Sequence, residues 1–338
     1  MPPGYTVATM LAAVFRGRHQ VRVEERPPPP APPPGWVQVA VSWCGICGTD
    51  LDEILHGPVL VPSTPLVLGH EAAGTVLAAA AGVGFAVGDR VGLENTLGCG
   101  RCERCRAGDP QLCAEFAVMG LMFDGALAER VNVPAAMCAV LPDTLSEEAG
   151  ALAEPLSVAV RAVRRAAGVR GRTVGVVGAG TIGLLVAAVA RAEGAAEIAV
   201  IEKSPERLRR ALAQGFLAAA PGAEFDVVFE CAGSGPGFQA ALDATAKHGT
   251  TVVVGIHAEP RSLDVTDLVV DERALVASFS HNLRDDYRGA LALLAAGAVR
   301  PADFITDRVP LSEVVERGFR PLIEEPERHL KVLVDCRP

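Results

Sequence analysis

Residues Thr173 to Gly183 read TVGVVGAGTIG. A continuous apolar run (173–178) meets glycines at 178, 180 and 183, and AGTIGLLVAAVARAEG then keeps helical periodicity up to Gly194. Buried-type strand, glycine turn and helix is the order that brings a backbone against a pyrophosphate, where the helix N-terminus supplies N–H donors and a positive dipole end. A Gly-x-Gly-x-x-Gly run alone is a weak signal, because glycine turns are common. Here it has its strand before, its helix after, and an acidic residue, Glu202, closing the next strand EIAVIE (197–202), which makes it a dinucleotide site. Gly178, Gly180, Thr181, Ile182 and Gly183 are the candidate pyrophosphate-binding residues. Glu202 can accept from both ribose hydroxyls of NAD and would repel a 2′-phosphate. NAD is therefore expected rather than NADP, with Lys203 and Arg207 near enough in sequence to soften the preference.

Downstream, DVVFECAG (226–233), TVVVGI (251–256) and LVASFS (275–280) alternate with helices starting at Ser204 and Pro236 and running through ALALLAAG. Strand and helix in turn, with buried-type strands, imply an α/β doubly wound parallel sheet. The connection from Arg210 to Glu224 is short for a full crossover, so one element there should be trimmed.

Upstream the pattern differs. Residues 10–24 read as strand, PPPPAPPP (27–34) as a stiff polyproline connector that cannot donate ladder hydrogen bonds, and WVQVAVSW (36–43) as an alternating strand. Then come CGICGTD (44–50), a short helix LDEILHG ended by Gly57, LVLGHE (66–71), AGTV (73–76) and VGDRV (87–91). Short strands between glycine turns indicate a small β-rich domain, a barrel. Near the end, residues 308–319 read as a helix and 329–334 as a strand. The pattern leaves open whether they extend the sheet or return to the first domain.

A chain of 338 residues implies two domains. With 31 basic against 40 acidic residues, a net charge of −9 and no basic run, nucleic acid and anionic membrane are poor partners. No apolar run reaches the ~18 residues that span a bilayer. The start, MPPGYTVATMLAAVF, has no basic segment before its apolar part, so it does not read as a secretory signal and the cytoplasm is expected. Met10 could begin the folded chain, leaving residues 1–9 a loose extension.

Two constellations carry metal chemistry. Glu94 to Cys113, ENTLGCGRCERCRAGDPQLC, holds Cys99, Cys102, Cys105 and Cys113. Two Cys-x2-Cys steps and a longer return suit four thiolates around one tetrahedral zinc, a closed structural site with no open position. Unrelated thiols or a disulfide loop would be the alternative, disfavoured in a reducing compartment. The second set is Cys47, His70, Glu71 and Glu154. A catalytic zinc needs about three mixed ligands and one open position. Spacing does not establish this site, since a lone buried Cys usually fills core and a lone His is usually a satisfied polar group.

GICGTD (45–50), LGHEAAGTV (68–76), VGDRV (87–91), CGRCERCRAGDPQLC (99–113), ALAEPLSVAVRAV (151–163) and VGAGTIG (177–183) together resemble the zinc-dependent medium-chain dehydrogenase/reductase (alcohol dehydrogenase) family, from Met10 onward. GTDLDEILHGP, FECAG, VVVGIHAEP and GFRPLI…HLKVLV are most similar to its butanediol, sorbitol and threonine dehydrogenase branch. The resemblance implies a GroES-like β-barrel catalytic domain (1–160 and 299–338, with a structural-zinc lobe at 94–115) and a Rossmann NAD-binding domain (161–298). It implies two zinc ions per chain, one catalytic and one structural, and hydride transfer between NAD and a secondary alcohol such as a vicinal diol or polyol. Threonine-type or specialised-biosynthesis amino or cyclic polyol substrates are the alternative within the family. A non-catalytic NAD-binding relative is the alternative outside it. Cys47, not Cys44, becomes the catalytic thiolate, His70 and Glu71 its companions, Glu154 a group approaching the metal directly or through its water, and Thr49 the hydroxyl beside the substrate oxygen. A homodimer or homotetramer joined at nucleotide domains is implied, for which Leu275–Phe279 would suit.

One position departs from the family. Relatives carry His two residues after GTD, ending a proton relay, where this chain has Asp52. A carboxylate with a pKa near ~3.9 is a weaker base than an imidazole near ~6.5. Asp52 and His56 stand four apart, on one face if the segment is helical, and as a pair could replace the relay His; otherwise His56 is a solvated helix end.

Overall fold

The computed structural model describes residues 9–338, so the reading of residues 1–9 as an extension lies, but for Thr9, outside the described residues. The chain divides into two compact units: the residues up to Glu154 with Asn282–Arg284 and Ile305–Pro338, and Pro155–His281 with Asp285–Phe304.

The first unit is β-rich. Its main sheet runs in the order Cys138–Val140, Arg90–Leu93, Glu71–Ala79, Trp36–Gly45, Lys331–Asp335, Ile305–Pro310, with Arg130–Pro134 also pairing Trp36–Gly45. A smaller sheet orders Gln20–Arg26, Met10–Gly17, Leu66–Val67. Alternation in Trp36–Gly45 puts Val37, Val39 and Val41 inside, where they share one core with Phe15, Leu68, Leu127, Val332 and Val334 from both sheets. Burying such side chains stabilises by about 1.5–3 kcal/mol each. The proline run stays outside the ladder, its carbonyls used as acceptors: Pro29 O and Pro30 O accept from Gln38 Nε2, and Pro30 O also from Asn132 Nδ2.

Register in this sheet builds the site. Gly45 lies opposite both Glu71 and Leu333, on antiparallel neighbours. Side chains alternate along a strand, so Lys331 shares a face with Leu333 and arrives beside Glu71. Gly45 is glycine for a steric reason, because a Cβ there would sit 2.0 Å from Glu71 Oε2.

The C-terminal segment corrects the expected helix at 308–319. Ile305–Pro310 is a strand, parallel to Lys331–Asp335, with Ile305 and Val309 buried, and only after Pro310 does the chain turn helically. The pairing partner lies beyond the helical stretch, so no local pattern announces it.

The second unit is a six-stranded parallel sheet in the order Leu217–Ala218, Glu197–Ile201, Thr173–Val177, Phe225–Glu230, Thr245–Val253, Ala274–Ala277. Numbered along the chain this is 3-2-1-4-5-6, whose direction reverses beside the first strand, where dinucleotides bind. The trimmed element falls where the short connection predicts it: the third strand has 2 residues and no helix follows it before Phe225. Helices Thr181–Ala192, Pro205–Ala213 and Gly235–Asp243 follow the strands, the latter two capped by Ser204 and Ser234 side chains accepting from Arg207 N and Gly237 N. Among the described residues no helix is long and apolar enough to cross a membrane.

Candidate active site and metal centres

Local turns hold the four lobe cysteines. Cys102 caps the short helix Glu103–Ala107 by accepting from Cys105 N, and Gly108 ends it in the left-handed conformation, returning the chain to Cys113. The Sγ atoms of Cys99 and Cys105 are 4.0 Å apart, and those of Cys102 and Cys113 are 3.8 Å apart. A tetrahedron of Zn–S bonds of ~2.3 Å has S···S edges of roughly 3.8 Å, so the set fits zinc. Backbone N–H groups already point at sulfur: Cys99 N and Glu115 N donate to Cys113 Sγ at 3.4 and 3.3 Å. Backbone N–H groups of Arg101 and Cys102 hold the Cys99 thiol down to about 6, toward the thiolate a metal requires.

The second set lies at the ends of two central strands of the main sheet. Cys47 precedes the helix Gly48–His56 and its N–H donates to Asp50 Oδ2 at 2.9 Å. Cys44 points into the core with no exposure, which leaves Cys47 as the available thiol. Cys47, His70 and Glu71 bring one ligand atom each within 4.8 Å of one another. Asp50, fully buried, turns Oδ1 toward His70 Nδ1 at 3.6 Å. At that distance the contact is electrostatic rather than a hydrogen bond, and it sets a negative charge behind the ring. Burial draws the His70 imidazolium down, yet Asp50, Cys47 and Glu154 outweigh it and hold its pKa well above the usual value. Such a cluster of negative charge favours a cation, and its S, N and O donors are a zinc set.

Glu71 is also clamped. Lys331 Nζ donates to both its oxygens, at 2.7 and 2.6 Å, and to Ile46 O at 2.9 Å, with Lys331 only 3% exposed. Glu154 stands just outside the close set. Its Oε1 accepts from Asn95 Nδ2 at 2.6 Å, and burial, then Glu71, push its pKa up to about 8. Thr49 Oγ1 lies 3.7 Å from Cys47 Sγ. Asp52 and His56 are both exposed on the same helix; burial raises the Asp52 pKa against the lowering effect of His56, and no hydrogen bond or ion pair joins them among the described residues.

In the second unit Gly178 ends the first strand at a φ of 94°, and a Cβ on Gly183 would sit 1.8 Å from Gly178 O, so only glycine lets the helix Thr181–Ala192 pack so closely on the turn. That close cradle at a helix N-terminus fits a pyrophosphate. Thr181 and Ile182 open the helix, half-buried. Glu202 braces the loop, Oε2 accepting from Ala179 N at 2.7 Å and Oε1 from Ser204 N at 2.8 Å. Arg207 sits in the first turn of the following helix, and Lys203 is exposed.

Residues 33–143 match the family described as alcohol dehydrogenase GroES-like domain, and residues 181–296 the one described as zinc-binding dehydrogenase. The protein named "Probable D-xylulose reductase A" from Neosartorya fischeri is 35% identical, with 95% of each chain covered. The chain belongs to the zinc-binding alcohol dehydrogenase family. (R,R)-butanediol dehydrogenase of Bacillus subtilis is 33% identical over 96% of this chain and 99% of that one, and its crystal structure superposes with a TM-score of 0.90 over 97% and 99%. A zinc-binding dehydrogenase from Sinorhizobium meliloti, solved bound to NADP, is 31% identical with a TM-score of 0.87 over 97% and 99%. This zinc-binding dehydrogenase is thus an oxidoreductase built from a GroES-like domain and a Rossmann-type sheet.

Three residues around the candidate metal site escape a reading of the sequence. Asp50 stood inside GICGTD without a role. Lys331 signals itself only as a charge in the apolar run of HLKVLV, and Asn95 as part of the polar ENT before the lobe.

Proposed function

We propose that this dehydrogenase oxidises a secondary alcohol, a vicinal diol or polyol, with NAD, and reduces the matching ketone in reverse. The meeting of Cys47, His70 and Glu71 with Thr49 and Glu154 close by carries this reading. Cys47, His70 and one of Glu71 or Glu154 hold the catalytic zinc; Cys99, Cys102, Cys105 and Cys113 hold the structural one. A catalytic zinc supplies a Lewis acid that polarises the hydroxyl or carbonyl oxygen, and NAD supplies the hydride acceptor. Asp50 sets a negative charge behind His70, Lys331 neutralises Glu71, and Thr49 accepts the proton as the carbinol carbon gives up hydride. Asp52, in the middle of the same helix, and His56, at its end, are exposed and pass that proton to water.

The names of relatives, for D-xylulose and for (R,R)-butanediol, support the substrate class. NAD rather than NADP is supported by the Glu202 carboxylate, which repels a 2′-phosphate. Gly178, Gly180, Thr181, Ile182, Gly183 and Arg207 complete the dinucleotide site. The domain division we propose is catalytic 1–160 with 299–338 and nucleotide-binding 161–298. We place the protein in the cytoplasm as a homodimer or homotetramer. A panel of vicinal diols, acyloins, polyols and threonine, followed by NADH absorbance, tests the reading: turnover of diols or polyols supports it, and turnover of threonine alone contradicts it.

A further inference from the structure

Asn95 is 5% exposed and belongs to neither metal set. Its amide is held in one orientation. Thr96 Oγ1 donates to Asn95 Oδ1 at 2.9 Å, which turns the NH2 group toward Glu154, where Nδ2 donates to Oε1 at 2.6 Å. The adjoining turn is itself fixed, since Thr96 N donates to Glu94 Oε1 at 2.9 Å. Glu94, Thr96 and Glu154 are buried as well, at 2%, 3% and 5% exposure. A short bond between such buried groups is strong and directional. Asn95 and Glu154 stand 59 residues apart, so the bond joins the strand end before the cysteine lobe to the long helix Glu147–Arg165.

With one lone pair of Oε1 taken by Asn95, the carboxyl group of Glu154 is turned so that approach to a metal ion through Oε2, as a one-oxygen ligand, is favoured. We propose that Asn95 is a positioning residue of the catalytic metal centre: through its bond to Glu154 it fixes which oxygen that carboxylate presents and so sets the affinity of the site for zinc. Asn95 is outside both ligand clusters and acts through Glu154. The proposal rests on the metal-centre reading above and deepens it.

The test uses the full-length zinc-loaded protein. Zinc release to a chromogenic chelator and the visible spectrum after cobalt(II) exchange are compared for wild type, Asn95→Leu, which keeps the volume, Asn95→Ala, Glu154→Gln and the Asn95→Ala/Glu154→Gln double variant. Loss of a residue that orients a ligand typically weakens metal binding by about 10–100-fold. Both Asn95 variants should weaken catalytic-site zinc by that factor and shift the cobalt spectrum, while zinc in the cysteine lobe stays bound and reports an intact fold. The double variant should lose no more than Glu154→Gln, because the two act as one unit. Unchanged catalytic-site affinity in folded Asn95→Leu and Asn95→Ala, or losses that add in the double variant, overturns the proposal alone. A wild-type protein with zinc in the lobe only overturns the metal-centre reading and the proposal with it.

Discussion

Lys331 neutralises a carboxylate that the fold has buried beside two other acids, Asp50 and Glu154. Replacing it with Met leaves Glu71 buried and unpaired, which costs about 3–5 kcal/mol. The zinc-free Lys331→Met protein should melt far below wild type, and zinc should raise its melting temperature more than it raises that of wild type, because a cation then takes the place of the ammonium. Calorimetry with and without zinc checks this; equal zinc stabilisation in both proteins contradicts it. His56 carries a separate prediction. Relay through Asp52 and His56 requires His56→Ala to lower kcat in the oxidation direction and to flatten the pH–rate profile near neutrality, and an unaltered profile removes the relay. Cys47, His70 and Glu71 were legible in the sequence because the motifs containing them are short and ordered. Lys331 was not, since 260 positions separate it from Glu71 and only the shared register at Gly45 brings them together.

Gly183→Ala drives a methyl into Gly178 O, so the helix must move off the strand. Overpacking of this kind costs about 1–3 kcal/mol, and the NAD dissociation constant by titration should rise at least tenfold. At the other end of the same central strands, Asp226 Oδ2 accepts from Thr173 N at 2.8 Å and Thr173 Oγ1 at 3.0 Å, and these bonds hold its pKa below the usual carboxylate range. A depressed folded pKa contributes stability above the unfolded value near ~3.9, lost as pH falls through the folded one. Asp226→Asn should therefore lower the melting temperature by roughly 2–4 °C at pH 7, with the difference shrinking below about pH 4. An equal difference at both pH values would refute the linkage. Element types in this unit were legible because buried parallel strands and helices alternate cleanly. The strand Ile305–Pro310 was not, since its apolar residues fit a helical period equally well and its partner comes later in the chain.

At the level of the molecule, one edge of the second unit carries a run of exposed apolar side chains. The edge strand Ala274–Ala277 and the helix Val265–Val270 leave Val265, Val269, Val270, Leu275 and Phe279 between 38% and 72% exposed. An unpaired edge beside such a patch is a site of strand-to-strand association. Light scattering should give a mass of at least two chains for wild type and a smaller mass for a Val269→Glu/Leu275→Arg variant; a monomeric wild type contradicts this. The two-part organisation was legible from the change of pattern near Thr173, whereas the charges around the candidate metal site, Asp50, Glu71, Glu154 and Lys331, come from four separated stretches and meet only in the folded chain. Zinc per chain, measured with activity on wild type and on Cys47→Ala, distinguishes a catalytic metal centre at Cys47, His70 and Glu71 from the cysteine lobe. About two zinc ions are expected, falling to about one in the variant with NAD reduction lost. One zinc in wild type, or a Cys47→Ala protein that still turns over substrate, would contradict a catalytic centre there.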